Sequence, residues 1–401
     1  MLFCRYATTS HSMLLCAALS TMLFISGCNS NSPSPVASAS SGSVSLSEQE
    51  DDSTEEWSEC ILLVNGTQNQ ANRSTGSGFY DVSIRNDGKC QIFYTDYATK
   101  TQIPLCASPN CDHNSSECLS ITDTNSLFVY NDKLYQFYQG YDTPQYLKCM
   151  NLDGSNSEVL LELNENEYFP VGGVAAADNL LYFAIVEIDD NANQTYQIVS
   201  FDLESKTITP IQSSSQDEFI MDVSEDKLII KRFSLDEDTW EPLEPEFLML
   251  TQDGQEKPID LPSWVNANTC IYPSGGSLYI HDNQAGRFIK QNILTGECTT
   301  IFENEIIQNV SSPLIIADAK DDGLVWSVGE EYYLYKDGKF VHSNFSYYRS
   351  AKPSNKILDT FGDSYLVCRD YDTIPKTLTL TPINAYWMDD DSKDVKIQNS
   401  Q

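Results

Sequence analysis

From Trp57 onward, short runs rich in Tyr, Phe, Ile, Val and Leu alternate with turn residues, and no helical period of apolar positions is sustained. The runs resemble one another. A turn followed by an apolar or aromatic pair recurs as Phe79-Tyr80, Leu134-Tyr135, Leu181-Tyr182, Leu228-Ile229, Leu278-Tyr279, Val325-Trp326 and Leu366-Val367. Measured at the second member, the steps are 55, 47, 47, 50, 47 and 41 residues. A second strand that ends in a polar turn follows each pair, as in residues 146–154, 199–204, 247–254 and 288–293. The tightest internal match sets residues 95–105 against 201–211, with Asp96 and Asp202, Lys100 and Lys206, Thr101 and Thr207, and Pro104 and Pro210 in register.

Four short strands at a period of 40–50 residues predict an all-β chain folded as a β-propeller. One such unit cannot bury its two faces alone, whereas a closed ring can, and it protects most sheet edges. The pairs count seven four-stranded blades, with six or eight as the neighbouring counts. A β-sandwich or open β-array competes, but neither needs so regular a repeat. On this count residues 60–64 form the innermost strand of blade one, and blade seven runs from 357 to about 397. The propeller domain is expected over residues 57–401.

The N-terminal region reads differently. Met13 to Ile25 is a 13-residue apolar segment behind one basic residue, Arg5, which fits a signal peptide and is too short to span a bilayer. It ends at Ser26-Gly27-Cys28, which resembles the bacterial lipoprotein lipobox. Residues 1–27 are then the lipoprotein signal peptide, and Cys28 takes a diacylglyceryl (palmitate-type) group. The competing reading is an ordinary secreted protein whose cleavage site abuts a Cys. Residues 28–56 form a tether, first rich in Ser and Pro and then acidic, without the apolar periodicity needed to bury a core.

Charge narrows the partners. The chain carries −34 overall, and −35 once the signal, with its single Arg and no acid, is removed. Nucleic acid is disfavoured, because phosphate binding needs basic patches and the sequence shows none. An anionic membrane surface would also repel the chain, so attachment falls to the lipid. Two acyl chains supply on the order of 20 kcal/mol.

Nine cysteines stay after Cys28: Cys60, Cys90, Cys106, Cys111, Cys118, Cys149, Cys270, Cys298 and Cys368. The number is odd, and most lie scattered inside strand patterns, which fits buried thiols better than a disulfide framework. Three are concentrated with a histidine in residues 105–118, as Cys106, Cys111, His113 and Cys118. The C-x4-C-x-H-x4-C spacing supplies the four soft and borderline ligands of a tetrahedral zinc. Cys111 and His113, two apart on extended chain, point the same way. The spacing is not that of a zinc knuckle, and one disulfide with a spare thiol is the alternative. Either role is structural, because four protein ligands leave no open position for substrate. The long first step of 55 residues is attributed to this loop as an insertion of about ten residues.

The run from Tyr94 to Cys118, with its Leu-Cys, Pro-Asn-Cys-Asp-His and final Cys, resembles a motif of uncharacterised lipoproteins of Gram-positive anaerobes. Those proteins share a lipobox, a Ser-rich tether and a propeller similar to those of TolB and prolyl oligopeptidases. The resemblance implies a propeller on the outer face of the cytoplasmic membrane of a Gram-positive bacterium. It implies no activity.

Catalytic signatures are lacking: the chain has no G-x-S-x-G, H-E-x-x-H, P-loop or G-x-G-x-x-G. His281 is expected as a strand-end surface histidine. Residues 234–240 resemble the Asp-box of sialidases but are one residue short and lack its Gly, so they read as a turn. Asp189-Asp190, Asp321-Asp322 and Asp389-Asp390-Asp391 are expected as solvated loop carboxylates, with calcium a lesser reading. Residues 151–156 read as a hairpin turn. The expected function is a non-enzymatic binding or scaffolding propeller for an unidentified peptide, glycan or protein partner. The alternative is a glycan- or ester-cleaving enzyme using convergent carboxylates in the central funnel.

Overall fold

The computed structural model describes residues 58–399, apart from 67–69, 107, 109, 116, 125, 141–143, 171, 235, 237–238, 240–242, 321–322 and 347–352. Cys28, the signal peptide, the tether, Asp321-Asp322 and most of residues 234–240 lie outside them. Seven sheets form the blades, antiparallel except for one strand pair in blade 1. Blade 1 is built on Gly78–Ile84, Cys90–Asp96 and Thr101–Pro104, and blade 2 on Phe128–Tyr130, Lys133–Tyr138, Tyr146–Asn151 and Glu158–Glu162. Blade 3 holds Val174–Ala177, Leu180–Ile188, Gln194–Asp202 and Ile208–Ser214, and blade 4 holds Asp217–Ser224, Lys227–Phe233, Glu246–Leu250 and Glu256–Pro258. Blade 5 holds Ile271–Ser274, Ser277–Asp282, Arg287–Asn292 and Cys298–Glu303. Blade 6 holds Leu314–Lys320, Gly323–Val328, Glu331–Lys336 and Lys339–Ser343, and blade 7 holds Lys356–Phe361, Ser364–Asp370, Thr377–Pro382 and Val395–Lys396. Among the described residues no helix is long and apolar enough to cross a membrane.

The recurring apolar pair has a simple physical origin. Successive side chains of a strand point to opposite faces, and every blade is buried on both. Each pair therefore sends one residue into each of two interfaces between blades. Leu228 packs with blade 3 and Ile229 with blade 5, while Val325 packs with blade 7 and Trp326 with blade 5. Seven apolar clusters result, one between each pair of neighbouring blades. The last joins Phe79 and Tyr97 of blade 1 to Leu366, Leu378 and Leu380 of blade 7, which closes the ring.

The matched segments 95–105 and 201–211 are the same turn made twice. Asp96 Oδ1 accepts from the Thr99 amide at 2.7 Å and Asp202 Oδ1 from the Ser205 amide at 2.8 Å. Lys100 and Lys206 then take φ of 56° and 57°. Asn292 repeats the capping at Thr295, with Gly296 at φ 71°. Residues 151–156 do form a hairpin turn, closed from the Gly154 amide to the Asn151 carbonyl at 2.9 Å.

Two expectations are corrected at the ends of the ring. The strand Ile61–Asn65 does not belong to blade 1. It pairs antiparallel with Val174–Ala177, inside the innermost strand of blade 3, and turns back through Gln70–Ala71. Phe79-Tyr80 lies in the innermost strand of blade 1, whereas the other six pairs lie in second strands, and this lengthens the first step. The Cys/His loop is likewise not added to a complete blade. The chain leaves blade 1 after Pro104, and the outer position is taken by Gln398–Asn399, parallel to Thr101–Pro104. The loop occupies the stretch of sequence in which other blades make their own fourth strand.

Candidate functional sites: an axial cavity and a Cys/His loop

The N-terminal hairpin sits within the ring of innermost strands and divides the space there. On one side Leu62, Leu63 and Asn65 line a small cavity of about 290 Å³ with Asp222, Tyr272 and Asp318. On the other, Val64 faces a cavity of about 680 Å³ walled by blades 1, 2, 3 and 7, while Ala71, Ile357 and Leu358 border both. The hairpin can pass this close to blade 4 because Gly66 and Gly173 lack side chains. A Cβ on Gly173 would lie 2.1 Å from the Ile220 carbonyl oxygen and 2.9 Å from that of Val64.

The larger cavity is walled in part by buried Phe79, Phe137, Phe169 and Phe183. Its charged lining is Arg73, Asp81, Lys356, Asp372 and Lys376. Asp81 is 1% exposed, and one of its oxygens takes both Arg73 Nη1 at 3.4 Å and Lys376 Nζ at 3.0 Å. Arg73 Nε also donates to the Leu127 carbonyl at 3.0 Å, and Lys376 Nζ to that of Val82 at 2.8 Å. Lys356 completes the group. Burial first, and then the positive charge of Arg73, bring its pKa down from 10.5 to about 8, with Lys376 adding to the fall and Asp318 and Cys368 opposing it. Asp372 stands on the exposed rim.

In the second site, the ligand atoms of Cys106, Cys111, His113 and Cys118 all lie within 4.8 Å of one another. Cys118 Sγ and His113 Nδ1 are 3.5 Å apart. Tetrahedral zinc with bonds of about 2.0–2.3 Å sets its ligand atoms roughly 3.5–3.8 Å apart, so the donor set fits the ion with little movement. Local turns position it, from the Cys111 amide to the Ser108 carbonyl at 3.3 Å and from the Cys118 amide to that of Ser115 at 3.1 Å. Blade 1 fastens the loop, since Arg85 Nη1 donates to the His113 carbonyl at 3.1 Å and Gln91 Nε2 at 3.4 Å. Burial opposes the Cys106 thiolate, yet hydrogen bonds from Ser108, Cys118 and Cys111 outweigh it and bring the thiol to about 6. Cys111 is pushed up to about 11, because hydrogen bonding with Cys118 and Cys106 outweighs the His113 amide that favours its thiolate. All nine described cysteines are thiols, and Cys298 is exposed.

No family model and no curated protein matches this chain. Solved structures do. An oligogalacturonate lyase in complex with manganese aligns at 12% identity and a TM-score of 0.51, over 82% of this chain and 92% of that one. A prolyl endopeptidase aligns at 11% identity and 0.51, over 85% of this chain but about half of that one, 49%. TolB from Acinetobacter baumannii aligns at 13% identity and 0.32, over 71% of this chain and 62% of that one. The first two show what the sheets show: the fold is a β-propeller.

The other sequence-marked residues go to structural work. His281 is buried rather than at the surface, because its strand Ser277–Asp282 is buried along its whole length. Its Nε2 lies 2.8 Å from the Ile307 carbonyl, and burial lowers its pKa. Asp189 accepts from the amides of Asn191 and Asn193, and Asp389 from Ser343 Oγ and the Asn344 amide. Asp390 caps the turn at Ser392. Asp189 and Asp390 thus shape their turns, and Asp389 ties two segments of the chain together. Arg73, Lys356 and Lys376 carry no sequence motif, since they come from the end of the hairpin and two parts of blade 7, up to 303 residues apart. Their only signal is scarcity, three of the 24 basic residues of an acidic chain.

Proposed function

We propose that this chain is a membrane-anchored extracellular lipoprotein of a Gram-positive bacterium, held through Cys28, whose propeller binds or scaffolds a peptide, glycan or protein partner. The observation that carries the binding reading is the cavity of about 680 Å³ inside the ring, lined by four phenylalanines together with polar and charged groups. Its size suits a small molecule or the end of a longer chain. The competing reading is a glycan- or ester-cleaving enzyme, and a lyase does share the fold. Yet the buried acid of the cavity, Asp81, is held by two cations, which suits an electrostatic clamp better than proton transfer. The Cys/His loop is assigned a structural zinc, held by Cys106, Cys111, His113 and Cys118. When bound, the ion would cross-link a loop of turns that blade 1 also holds through Arg85 and Gln91.

Two experiments test this reading. Labelling of expressing cells with an alkyne palmitate should mark the wild type and not Cys28→Ala, which should instead appear in the medium. A glycan and peptide array probed with the mature domain should give hits that survive Cys28→Ala. Hydrolysis or elimination of array glycans, with product released, would replace binding by the enzyme reading.

A further inference from the structure

Resting on the binding reading, we propose that the larger axial cavity takes a neutral sugar ring, free or at the end of a glycan, with hydroxyls on Asp81 and Ser83 and a ring face against the phenylalanines. Two buried polar atoms of the lining carry the inference. Asp81 Oδ2 and Ser83 Oγ, in residues 1% and 2% exposed, have no hydrogen-bond partner among the described residues. The two residues stand two apart on the strand Gly78–Ile84, so their side chains leave the same face. A buried polar atom without a partner costs free energy, which a ligand recovers by bonding to it. Arg73 and Lys376 both bond to Oδ1, the other oxygen of the same carboxylate. Oδ2 accepts only, the serine hydroxyl donates or accepts, and a ligand hydroxyl serves both. An ammonium would also donate, but it would stand as a further cation beside Arg73 and Lys376. Nor does the site ask for a charge. Arg73, Lys356 and Lys376 share the lining with Asp81 and Asp372, and Asp318 acts on Lys356 from the smaller cavity, so three cations meet three carboxylates. The rest of the lining mixes phenylalanines with polar groups such as Ser126 and Gln139, which matches a ring with apolar C–H faces and a hydroxylated edge.

The full mature protein should be titrated calorimetrically with glucose, galactose, mannose and N-acetylglucosamine, with glucuronate as a charged ring and with cyclohexanemethanol as a ring bearing one hydroxyl. A hexose at ordinary ligand efficiency should bind with Kd about 2 mM, and at least one of the four neutral sugars should reach it. Glucuronate and cyclohexanemethanol should bind about tenfold more weakly or worse. Ser83→Ala should weaken the best sugar about fivefold, the share of one hydrogen bond. It should unfold no earlier than wild type, because it removes a hydroxyl that the fold leaves unpaired. Disaccharides of the best sugar tell the two sources apart: equal or tighter binding places the ring at a chain end, and weaker binding marks a free sugar. Equal binding of glucuronate would overturn the neutral assignment, and equal binding of cyclohexanemethanol the hydroxyl assignment. Unchanged affinity in Ser83→Ala would overturn the place given to the ring. No binding of any of the four sugars up to about 20 mM, ten times the expected Kd, would sink the site itself, and the array would then judge the binding reading separately.

Discussion

Replacing Lys356 by Met should make this protein more stable at neutral pH, although it removes a salt-bridge-capable side chain from the centre of the fold. The ammonium is poorly solvated and faces Arg73 and Lys376, with Asp318 and the Cys368 thiol as the opposing influences. Its pKa falls from 10.5 to about 8. At about 1.4 kcal/mol per pH unit, the charged form is disfavoured in the fold by at most roughly 3 kcal/mol. Lys356 is only half-buried, so water and lost contacts should reduce the gain to about 1–2 kcal/mol. For a domain of this size that raises Tm by about 1–3 °C. The pH dependence identifies the cause. Below pH 8 folded and unfolded chains both carry the charge, and the whole penalty is present. Between 8 and 10.5 the folded chain sheds a proton that the unfolded chain keeps, so wild-type stability rises. The advantage of Lys356→Met, followed by urea unfolding from pH 7 to pH 10.5, should therefore shrink towards zero. A variant less stable than wild type at pH 7, or one whose advantage ignores pH, would refute the reasoning.

Other consequences can be checked directly. Cys111→Ser should abolish stoichiometric zinc in elemental analysis of the purified domain, whereas wild type should hold one ion per chain; a protected cysteine pair without metal would instead establish the disulfide. Gly173→Ala should cost about 3 kcal/mol in chemical denaturation, because backbone atoms of Ile220 and Val64 occupy the place of its Cβ and cannot swing aside; an unchanged midpoint would mean that the hairpin can shift. Asp222→Asn should stabilise the fold by up to roughly 3 kcal/mol at pH 7, since burial raises this carboxyl from 3.8 to about 6 against the Val223 and Gly276 amides. Its penalty accrues as pH rises from 3.8 to 6, so the gain over wild type should vanish below about pH 4.

The ring was legible because burial on both faces leaves a local mark. Leu228-Ile229 and Val325-Trp326 report two interfaces each, and Asp96 and Asp202 report one turn geometry, all within a few residues. The strand Ile61–Asn65 was not legible in its place. An apolar strand gives the same pattern whether it lies in blade 1 or inside blade 3, and the innermost place of blade 1 is filled instead by Gly78–Ile84. His281 failed for a related reason. Polar neighbours such as Asp282 suggested an end at the surface, but Asp282 is itself buried and takes Arg287 Nε at 3.0 Å. The Cys/His set was readable because its four members are close in sequence, and the cationic cluster was not, because only the closed ring assembles it.

The two unequal cavities also explain why the hairpin is worth its tight fit. A propeller axis left open would form a channel through the ring, with water on both sides of Asp81, Arg73 and Lys376. The strand Ile61–Asn65 closes that space with Leu62, Leu63 and Val64, and the same segment goes on to deliver Arg73 into the larger cavity. Sealing and charging the site are thus done by one stretch of chain. This makes the pairing of Ile61–Asn65 with Val174–Ala177 a condition for the site as well as for the core. Gly173→Ala and Lys356→Met should accordingly act in opposite directions on stability, the first by forcing the hairpin away from blade 4 and the second by removing a poorly solvated charge.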